Sequence, residues 1–238
     1  MATLYIIATP IGNLEDITLR ALRILKEVDF VLCEDTRVTK KLLSHYEISK
    51  PCIAYHQHSD GKKVAEIIEL LNQGKNLALV TDAGTPGISD PGGKLVEAIL
   101  LNPPASPFAK GGTQGGFDLA IVPIPGASAL TAALSICGFP TDHFVFMGFP
   151  PHKKHRKDYF LRVAACQETV AFYESPYRII KTLTELGVAF STSPRQMVVC
   201  RELTKMFETV YRGTIGEVLE KIKSDTIKGE FVVIVSAV

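Results

Sequence analysis

The first half of this 238-residue chain alternates short apolar, β-branched segments with segments whose apolar residues recur at helical spacing. Leu22, Leu25 and Val28, for example, are three residues apart, which is typical of one buried helix face. This alternation predicts a mostly parallel sheet that helices cover. The predicted strands are residues 3–8, 30–33, 52–55, 76–81 and 119–124, and the predicted helices are residues 17–27, 36–46, 64–71 and 94–101.

The second half has a different rhythm, with short strands that lie close together towards its end. Such spacing favours antiparallel pairing. We therefore expect a two-domain α/β protein with a parallel-rich N-terminal sheet and a mixed C-terminal sheet. The domains are expected at residues 1–122 and 123–238, with Pro123 and Pro125 stiffening the junction. The strands predicted here are residues 144–147, 169–173, 197–201, 208–213 and 231–235, with a helix at about 214–223.

Composition excludes several classes of protein. Hydrophobic residues make up 46% of the chain, which is enough to build a core and excludes disorder as the main state. No apolar run reaches the roughly 18 residues of a membrane span. The N-terminus lacks the basic start of a signal peptide, so we expect a cytoplasmic protein. The five cysteines form no C-x-x-C pair, and no cysteine and histidine set has metal-ligand spacing, so we expect neither a disulfide scaffold nor a metal.

Three glycine-containing segments directly follow predicted strands, at residues 10–13, 82–93 and 125–128. In parallel sheets, ligands bind beyond the carboxyl ends of the strands. Turn geometry explains any one of these loops equally well, but three at corresponding strand ends favour a shared binding rim. The sequence G-x-G-x-x-G does not follow the first strand and no P-loop occurs, which disfavours nicotinamide cofactors and nucleoside triphosphates.

Positive charge is concentrated in one short basic run, residues 153–157, although the net charge of the chain is only +1. A binder of bulk polyanions is therefore not indicated. On its own, a basic run is more often a solvated surface. A local contact with phosphate is the functional alternative.

Seven segments carry a further pattern, and they occur in order along nearly the whole chain. They are Leu4–Leu22, Cys33–Arg37, Val80–Gly92, Val122–Leu130, Phe172–Arg178, Arg201–Lys205 and Lys228–Glu230. Taken together they resemble the family of 16S rRNA cytidine 2′-O-methyltransferases, within the tetrapyrrole methylase superfamily. Seven ordered motifs are far more specific than one glycine-rich loop. Longer members of the family carry an additional segment after the last of these motifs.

The resemblance implies a fold, a methyl donor and partners. The implied fold is that of the class III methyltransferases, with a donor pocket in the cleft between two α/β domains. The implied donor is S-adenosylmethionine, and the implied protein is a homodimer that acts on 16S rRNA of the small ribosomal subunit, without a membrane partner. Such a donor needs a flat apolar slot, backbone hydrogen bonds and oxygens near its sulfonium, and glycine lets the main chain approach closely.

Carried over residue by residue, the resemblance places the donor against the three glycine-containing loops. For Asp82, a carboxylate that caps its own loop is the alternative. Glu174 and Ser175 are also expected to hold the donor, with an internal ion-pair network that joins the domains as the alternative. The loop residues expected to line the donor site are Pro10, Gly12, Asp82, Ala83, Gly84, Thr85, Ile88, Ser89, Pro125, Gly126, Ala127 and Ser128.

The implied reaction is an attack of a ribose 2′-hydroxyl on the donor methyl group. This hydroxyl is a weak nucleophile, so it needs positioning and removal of its proton. We predict Asp35 and Arg37 as the catalytic residues, because they follow a strand near the expected rim. Glu34 and Asp90 are the other carboxylates that can accept the proton. The alternative for residues 34–37 is a helix N-terminal cap with a local ion pair.

With the resemblance, the basic run becomes a predicted RNA contact. Arg178 and Lys205 are added to it, although an internal ion-pair network that joins the domains is the alternative for both. The predicted RNA-binding residues are Lys153, Lys154, Arg156, Lys157, Arg178 and Lys205. Two other functions stay open: methylation of a tetrapyrrole ring by the same fold, and RNA binding by a ribosome factor without catalysis.

Residues 102–117 interrupt the order of helices and strands. They are rich in proline and glycine and show no periodicity, which predicts a long surface loop. They have no counterpart in the family pattern and separate a helix from a strand that a few residues would connect. We interpret them as an insertion without a function, and a lid or a flap that contacts RNA is the alternative.

Overall fold

The computed structural model describes residues 2–56, 59, 61–101, 119–191 and 194–238. The described chain divides into two compact units, Met1–Ser128 and Ala129–Val238. The first unit extends past residue 122, where the sequence places the boundary, because strand pairing continues to Ile124. The insertion predicted at residues 102–117 lies outside the described residues. Among the described helices, none is long and apolar enough to cross a membrane.

The first unit is built on a parallel sheet, as predicted. Its described elements are β1 (Thr3–Ile7), α1 (Leu19–Glu27), β2 (Phe30–Cys33), α2 (Thr36–His45), β3 (Cys52–Ala54), α3 (Gly61–Asn72), β4 (Leu77–Leu79), α4 (Gly92–Leu101) and β5 (Ala120–Ile124). The strand order is β3-β2-β4-β1-β5, and every pair is parallel. β1 lies between β4 and β5, with Leu4 opposite Leu77 on one side and Ile121 on the other.

Helices bury both faces of this sheet. Val31 of β2 packs in a cluster with Ile24 of α1. The next residue, Leu32, points to the opposite face and packs with Ile67 of α3 and Leu95 of α4. A strand that is buried on both faces is apolar at every position, which explains why β2 and β4 are uninterrupted apolar runs in the sequence. Burial of each such side chain contributes about 1.5–3 kcal/mol.

The second unit contains the mixed sheet that the sequence predicts. Its described elements are α5 (Ala129–Cys137), β6 (Phe144–Phe146), α6 (Arg156–Ala165), β7 (Thr169–Glu174), α7 (Ile179–Ala189), β8 (Gln196–Arg201), β9 (Thr209–Thr214), α8 (Ile215–Lys223) and β10 (Phe231–Val235). The strand order is β6-β7-β10-β8-β9, in which β6 and β7 are parallel and the other pairs are antiparallel. Phe172 and Val233 share the main core with Leu183 of α7 and Val218 of α8.

The sequence patterns do not predict α5, α6 and α7. Apart from Thr131 and Ser135, α5 consists of apolar residues, so it lacks the periodic pattern of a half-buried helix. α6 begins at Arg156, inside the basic run, where the concentration of charge favours interpretation as a solvated loop. Sequence patterns therefore miss helices whose apolar periodicity is weak or whose first residues are charged.

Candidate active site

The loops that follow β1 and β4 are joined at the carboxyl end of the first unit's sheet. Thr9 and Gly84 exchange two backbone hydrogen bonds, from Thr9 N to Gly84 O at 2.9 Å and from Gly84 N to Thr9 O at 3.0 Å. The hydroxyl of Thr9 also donates to the carbonyl oxygen of Thr81 at 3.1 Å. Because β1 and β4 are neighbours in a parallel sheet, both loops leave it at the same edge and lie side by side.

The loop after β5, residues 125–128, reaches the same place from the other side of β1. A Cβ atom added to Gly126 would lie 3.0 Å from the Ala8 Cβ, so a side chain here is crowded. The hydroxyl of Thr85 donates to the carbonyl oxygen of Ala127 at 3.1 Å. Gly84, between them, has a φ of +86°, which glycine adopts without strain. The three glycine-containing loops therefore meet in the first unit.

The joined loops present open main chain and an apolar side chain to solvent. Ile88 is 42% exposed, so part of its apolar side chain is accessible to a ligand. Of the two residues expected beneath the donor, Pro10 is buried and Gly12 is exposed. The other exposed residues of the predicted donor site are Asp82, Ala83, Ser89, Pro125 and Gly126, whereas Thr85, Ala127 and Ser128 are partly exposed. The surface can offer backbone hydrogen bonds beside an apolar contact.

Glu34 lies at the end of β2, next to the joined loops. One of its carboxylate oxygens accepts a hydrogen bond from the Thr81 hydroxyl at 2.5 Å. Partial burial raises the pKa of the Glu34 carboxyl above its ordinary value, and the negative charges of Asp90 and Asp82 raise it further. The hydrogen bond from Thr81 and the nearby His56 oppose this rise without cancelling it. Glu34 is thus a carboxylate whose affinity for a proton is increased by its surroundings.

Asp35, the predicted catalytic residue, is the N-cap of α2. Its carboxylate accepts a hydrogen bond from the backbone N–H of Arg37 at 2.8 Å and forms an ion pair with the Arg37 Nη2 at 2.6 Å. These hydrogen bonds lower the pKa of Asp35 to about 2. The arrangement is the helix cap with a local ion pair that the sequence left as the alternative. The Arg37 side chain is 86% exposed and extends from this cap into solvent.

Asp82 and Asp90 use their carboxylates to hold the loops in place. Asp82 Oδ1 accepts a hydrogen bond from the backbone N–H of Asp35 at 3.1 Å, which ties the β4 loop to the β2 loop. Asp90 Oδ1 accepts hydrogen bonds from the backbone N–H groups of Gly87 at 2.7 Å and Gly92 at 2.6 Å. Asp90 therefore organises the turn that leads into α4.

Glu174, a predicted donor-binding residue, lies in the second unit and is buried, with a side chain that is 0% exposed. Its oxygens accept hydrogen bonds from the Thr182 hydroxyl at 2.5 Å and the Ser175 N–H at 2.7 Å, and it forms an ion pair with Arg178 at 2.8 Å. Arg178 also donates to the Pro150 carbonyl oxygen at 2.9 Å. Glu174, Ser175 and Arg178 thus form a polar network within the second unit, whereas the alternative considered for them was an ion-pair network that joins the domains.

Arg156 requires a correction to the predicted RNA-binding run, because it is buried and only 5% exposed. Its guanidinium forms an ion pair with Glu185 at 2.6 Å and donates to the Thr182 hydroxyl at 2.6 Å and the Pro151 carbonyl oxygen at 2.9 Å. These bonds satisfy a buried charge, which would otherwise be costly. Arg156 is therefore not at the surface, where a residue that contacts RNA must lie.

The lysines of the same run, Lys153, Lys154 and Lys157, are exposed. Lys205, the remaining predicted RNA contact, forms ion pairs with Glu202 at 2.8 Å and Glu230 at 2.9 Å. Burial opposes the charge on Lys205, but the hydrogen bonds to these carboxylates outweigh burial and raise its pKa. Three lysines are thus free to meet a phosphate group, whereas Lys205 is already paired with carboxylates.

Sequence reasoning did not single out Thr81 or Thr182. Each hydroxyl donates to a functional candidate, Thr81 to Glu34 and Thr182 to Glu174, both at 2.5 Å. The position of Thr81 at the end of the predicted strand 76–81 was the available signal, since residues at the carboxyl ends of parallel strands face the ligand edge of the sheet. Among the described residues, no cluster of three or more histidine, cysteine, aspartate or glutamate side chains could hold a metal ion.

A parallel α/β unit with joined loops, followed by a unit with a mixed sheet, defines the class of this protein. The sequence pattern of the tetrapyrrole (corrin/porphyrin) methylases matches residues 3–219. A match over most of the chain shows membership, and the chain belongs to this family of methylases.

Two curated relatives carry the same name, ribosomal RNA small subunit methyltransferase I. The protein from Halalkalibacterium halodurans is 44% identical over 234 residues, which cover 98% of this chain and 75% of the relative. The protein from Synechocystis sp. is 43% identical over 237 residues, which cover 99% of this chain and 79% of the relative. The chain thus spans about three quarters of the length of these relatives.

Solved structures show the same fold at low sequence identity. A cobalt precorrin-4 methyltransferase has a TM-score of 0.66 and 20% identity, and the match covers 98% of this chain and 94% of that one. A uroporphyrin-III C-methyltransferase from Thermus thermophilus, described in complex with S-adenosyl homocysteine, has a TM-score of 0.64 and 17% identity over 98% of this chain and 96% of that one. These likenesses confirm the tetrapyrrole methylase fold that the sequence motifs predict.

Proposed function

We propose that this chain transfers a methyl group from S-adenosylmethionine to the 2′-hydroxyl of a cytidine ribose in the decoding region of 16S rRNA. The observation that carries the proposal is the 43–44% identity over 98–99% of the chain to proteins named ribosomal RNA small subunit methyltransferase I. The motifs Cys33–Arg37 and Arg201–Lys205 support the cytidine ribose as the target, because they resemble those of the 2′-O-methyltransferases.

The joined loops of the first unit fit the methyl donor. When bound, S-adenosylmethionine supplies an electrophilic methyl group. Exposed main chain at residues 82–83 and 125–126 offers hydrogen-bonding groups to an adenosine, and the exposed side chain of Ile88 offers an apolar surface for a flat ring. Gly126 keeps the two sides of this surface close together, since a Cβ atom here would crowd Ala8. A protein of the same fold is described in complex with the demethylated donor, which supports this choice.

Glu34 is the group that we expect to remove the proton from the ribose hydroxyl. A base is most effective when its pKa lies near the working pH. The raised pKa of Glu34 moves it in that direction, whereas the pKa of Asp35, at about 2, moves away from it. Asp90 is engaged by two backbone N–H groups. Of the three carboxylates that the sequence offers, Glu34 is thus the best proton acceptor.

Asp35 affects the reaction indirectly, because it positions Arg37. The cap and the ion pair hold the Arg37 guanidinium in one orientation at the start of α2. Its exposed side chain can contact a phosphate group of the RNA beside the target ribose, and a guanidinium suits phosphate because its donors form a rigid fork. We retain Asp35 and Arg37 as functional residues, with Arg37 in contact with substrate and Asp35 as its positioning residue.

The exposed lysines at 153, 154 and 157 are proposed to contact RNA phosphates. From the resemblance we further propose that the chain acts as a homodimer on the small ribosomal subunit. The proposed methyl transfer does not need a metal ion, because proton removal and positioning by side chains supply the catalysis.

The test is transfer of a labelled methyl group from S-adenosylmethionine to purified small subunits. We expect label in 16S rRNA at a cytidine whose 3′ linkage becomes resistant to alkaline hydrolysis, since methylation blocks the 2′-hydroxyl. Label on a porphyrinoid and none on rRNA would overturn the proposal in favour of a tetrapyrrole methyltransferase. Binding of subunits without any transfer would overturn it in favour of a ribosome factor without catalysis.

A further inference from the structure

Two segments of the second unit lie side by side at one end of its sheet. β6 and β7 are parallel neighbours, so the chain leaves both strands at the same end. The segment after β6 is held against β7 by a hydrogen bond from the Tyr173 N–H to the Gly148 carbonyl oxygen at 2.9 Å. The segment after β7 is held to the first by Arg178, which donates to the Pro150 carbonyl oxygen at 2.9 Å. Residues 147–151 and 174–178 therefore form one continuous surface.

Four aromatic residues, Phe146, Phe149, Tyr173 and Tyr177, lie in these two segments or at the strand ends that lead into them. The ring of Tyr173 lies 5.0 Å from that of Phe146 and 5.5 Å from that of Phe149, measured between centroids. Phe149 is 49% exposed and Tyr177 is 95% exposed. We call Phe146, Phe149, Tyr173 and Tyr177 the aromatic patch. A tyrosine ring that is almost fully exposed contributes little to the core, so its free face is available to a ligand.

The exposed lysines are fixed beside the aromatic patch by the buried Arg156. Arg156 donates to the carbonyl oxygen of Pro151, at the end of the aromatic segment, and its guanidinium is anchored to Glu185 of α7. Lys153 and Lys154 precede Arg156 and Lys157 follows it, so this anchor holds all three near Pro151. The three exposed lysines thus flank a residue that is tied to the end of the segment that carries Phe149.

We propose that the aromatic patch and its three lysines bind a single-stranded segment of RNA, with an unpaired base stacked on the ring of Tyr177. The lysines carry positive charge for phosphates, and every base has a flat face that stacks on an aromatic ring. A double helix hides these faces, so rings add affinity only where bases are unpaired. The proposal rests on the proposed function, which makes RNA the substrate, and extends it from phosphate contacts to recognition of unpaired bases.

The test compares Tyr177→Ala, Tyr177→Phe and the unchanged chain in binding to a short single-stranded RNA and to the same sequence as a duplex. We expect Tyr177→Ala to bind the single strand about tenfold more weakly and the duplex as well as the unchanged chain, because stacking is lost. Tyr177→Phe should bind as the unchanged chain does, since its ring is retained. Val188→Ala is the matched control, because Val188 is 72% exposed near the other end of α7.

Equal single-strand affinity of Tyr177→Ala and the unchanged chain would overturn the proposal, and so would an equal loss in Tyr177→Phe. A loss for the duplex as large as for the single strand would also overturn it. Methyl transfer to small subunits by the unchanged chain is measured in parallel. If transfer occurs and Tyr177→Ala binds normally, the stacking proposal alone has failed; if the unchanged chain transfers nothing to rRNA, the proposed function has failed.

Discussion

Glu34 and Asp35 are adjacent carboxylates whose affinities for a proton differ because their neighbours differ. Asp35 faces the backbone N–H and the guanidinium of Arg37, and both stabilise its charge. Glu34 turns towards Thr81 and is partly buried near two other acidic residues, which disfavour its charge. At the scale of single residues, the structure therefore separates a carboxylate that positions a neighbour from one that is suited to take up a proton.

Glu34→Gln should lower the single-turnover rate of methyl transfer about 100-fold, because the proton acceptor is lost. Affinity for S-adenosylmethionine, measured by calorimetry, should not change. Asp35→Asn is the matched comparison: asparagine still caps a helix, and we expect the smaller loss of rate there. The rate of the unchanged chain should rise with pH as Glu34 loses its proton, at a pH above the usual range of a glutamate.

The direction of the Glu34 pKa shift also predicts how Glu34→Gln changes stability, and this effect can be distinguished from the effect on catalysis. The folded chain holds the Glu34 proton more tightly than the unfolded chain, so the stabilisation present below the ordinary pKa of 4.5 is lost as pH rises through the raised value. The neutral glutamine avoids this loss, and Glu34→Gln should unfold at no lower urea concentration than the unchanged chain at pH 7. An earlier unfolding midpoint together with a lower rate would point to a structural part for Glu34 and against its catalytic one.

At the scale of elements, the start of α6 shows how neighbouring residues of one charged segment lie in different environments. The side chain of Arg156 turns inwards to Glu185 and Thr182 of α7, while its lysine neighbours remain in solvent. The polar network that begins at Arg156 extends to β7, because Thr182 in turn donates to Glu174. Arg156 thus anchors the start of α6, whereas the lysines of the run lie in solvent. Substitutions of the two kinds of residue should therefore have different effects.

Arg156→Met should destabilise the fold by about 2–3 kcal/mol, because Glu185 and Thr182 lose the partner of their hydrogen bonds. The measurement is the free energy of unfolding in urea. Lys157→Met, one residue along the same helix but exposed, should change it by less than about 0.5 kcal/mol. Similar values for the two variants would show that the buried network contributes nothing to stability.

Replacement of Lys153, Lys154 and Lys157 together by glutamine should weaken RNA binding and flatten its salt dependence. Loss of three phosphate contacts to a single strand lowers the slope of log affinity against log salt by about 2. The measurement is affinity for a single-stranded RNA across a range of salt concentrations. Affinity for S-adenosylmethionine should stay constant; a parallel loss of both would indicate misfolding, and an unchanged slope would exclude these lysines from the RNA contact.

At the scale of the whole molecule, the strand order brings the candidate site together. β1 lies between β4 and β5, and β2 lies next to β4, so the segments after four strands share one edge. Thr9, Gly84 and Gly126 are far apart in the chain and are brought together only by this order. The site therefore depends on the closeness of separate loops as much as on any one side chain.

Gly126→Ala tests that closeness. The added methyl group would crowd Ala8, so the loops after β1 and β5 must separate, and affinity for S-adenosylmethionine should fall about tenfold. Gly216→Ala is the matched control, because a Cβ atom at that position in α8 meets nothing within 4 Å. Calorimetric titration of both variants is the measurement. Unchanged affinity in Gly126→Ala would show that the donor does not depend on the packing of these loops.

Much of this fold is predictable from sequence, because a strand that is buried on both faces is an uninterrupted apolar run in the sequence. The uninterrupted apolar runs of β2 and β4 mark strands that are covered on both faces, and the predicted order of strands and helices in the first unit is the observed one. The sequence patterns of the helices α5, α6 and α7 are weaker. α5 is apolar on most sides, and α6 begins among charged residues.

The residues of the candidate site divide in the same way. From sequence alone come the fold class, the three glycine-containing loops and the set of carboxylates, because these depend on local pattern and chain order. Only the tertiary structure decides that Arg156 is buried and that Glu34 meets Thr81. The reason is physical: the pKa of a carboxylate and the exposure of an arginine are set by groups that are distant in sequence and become neighbours only when the chain folds.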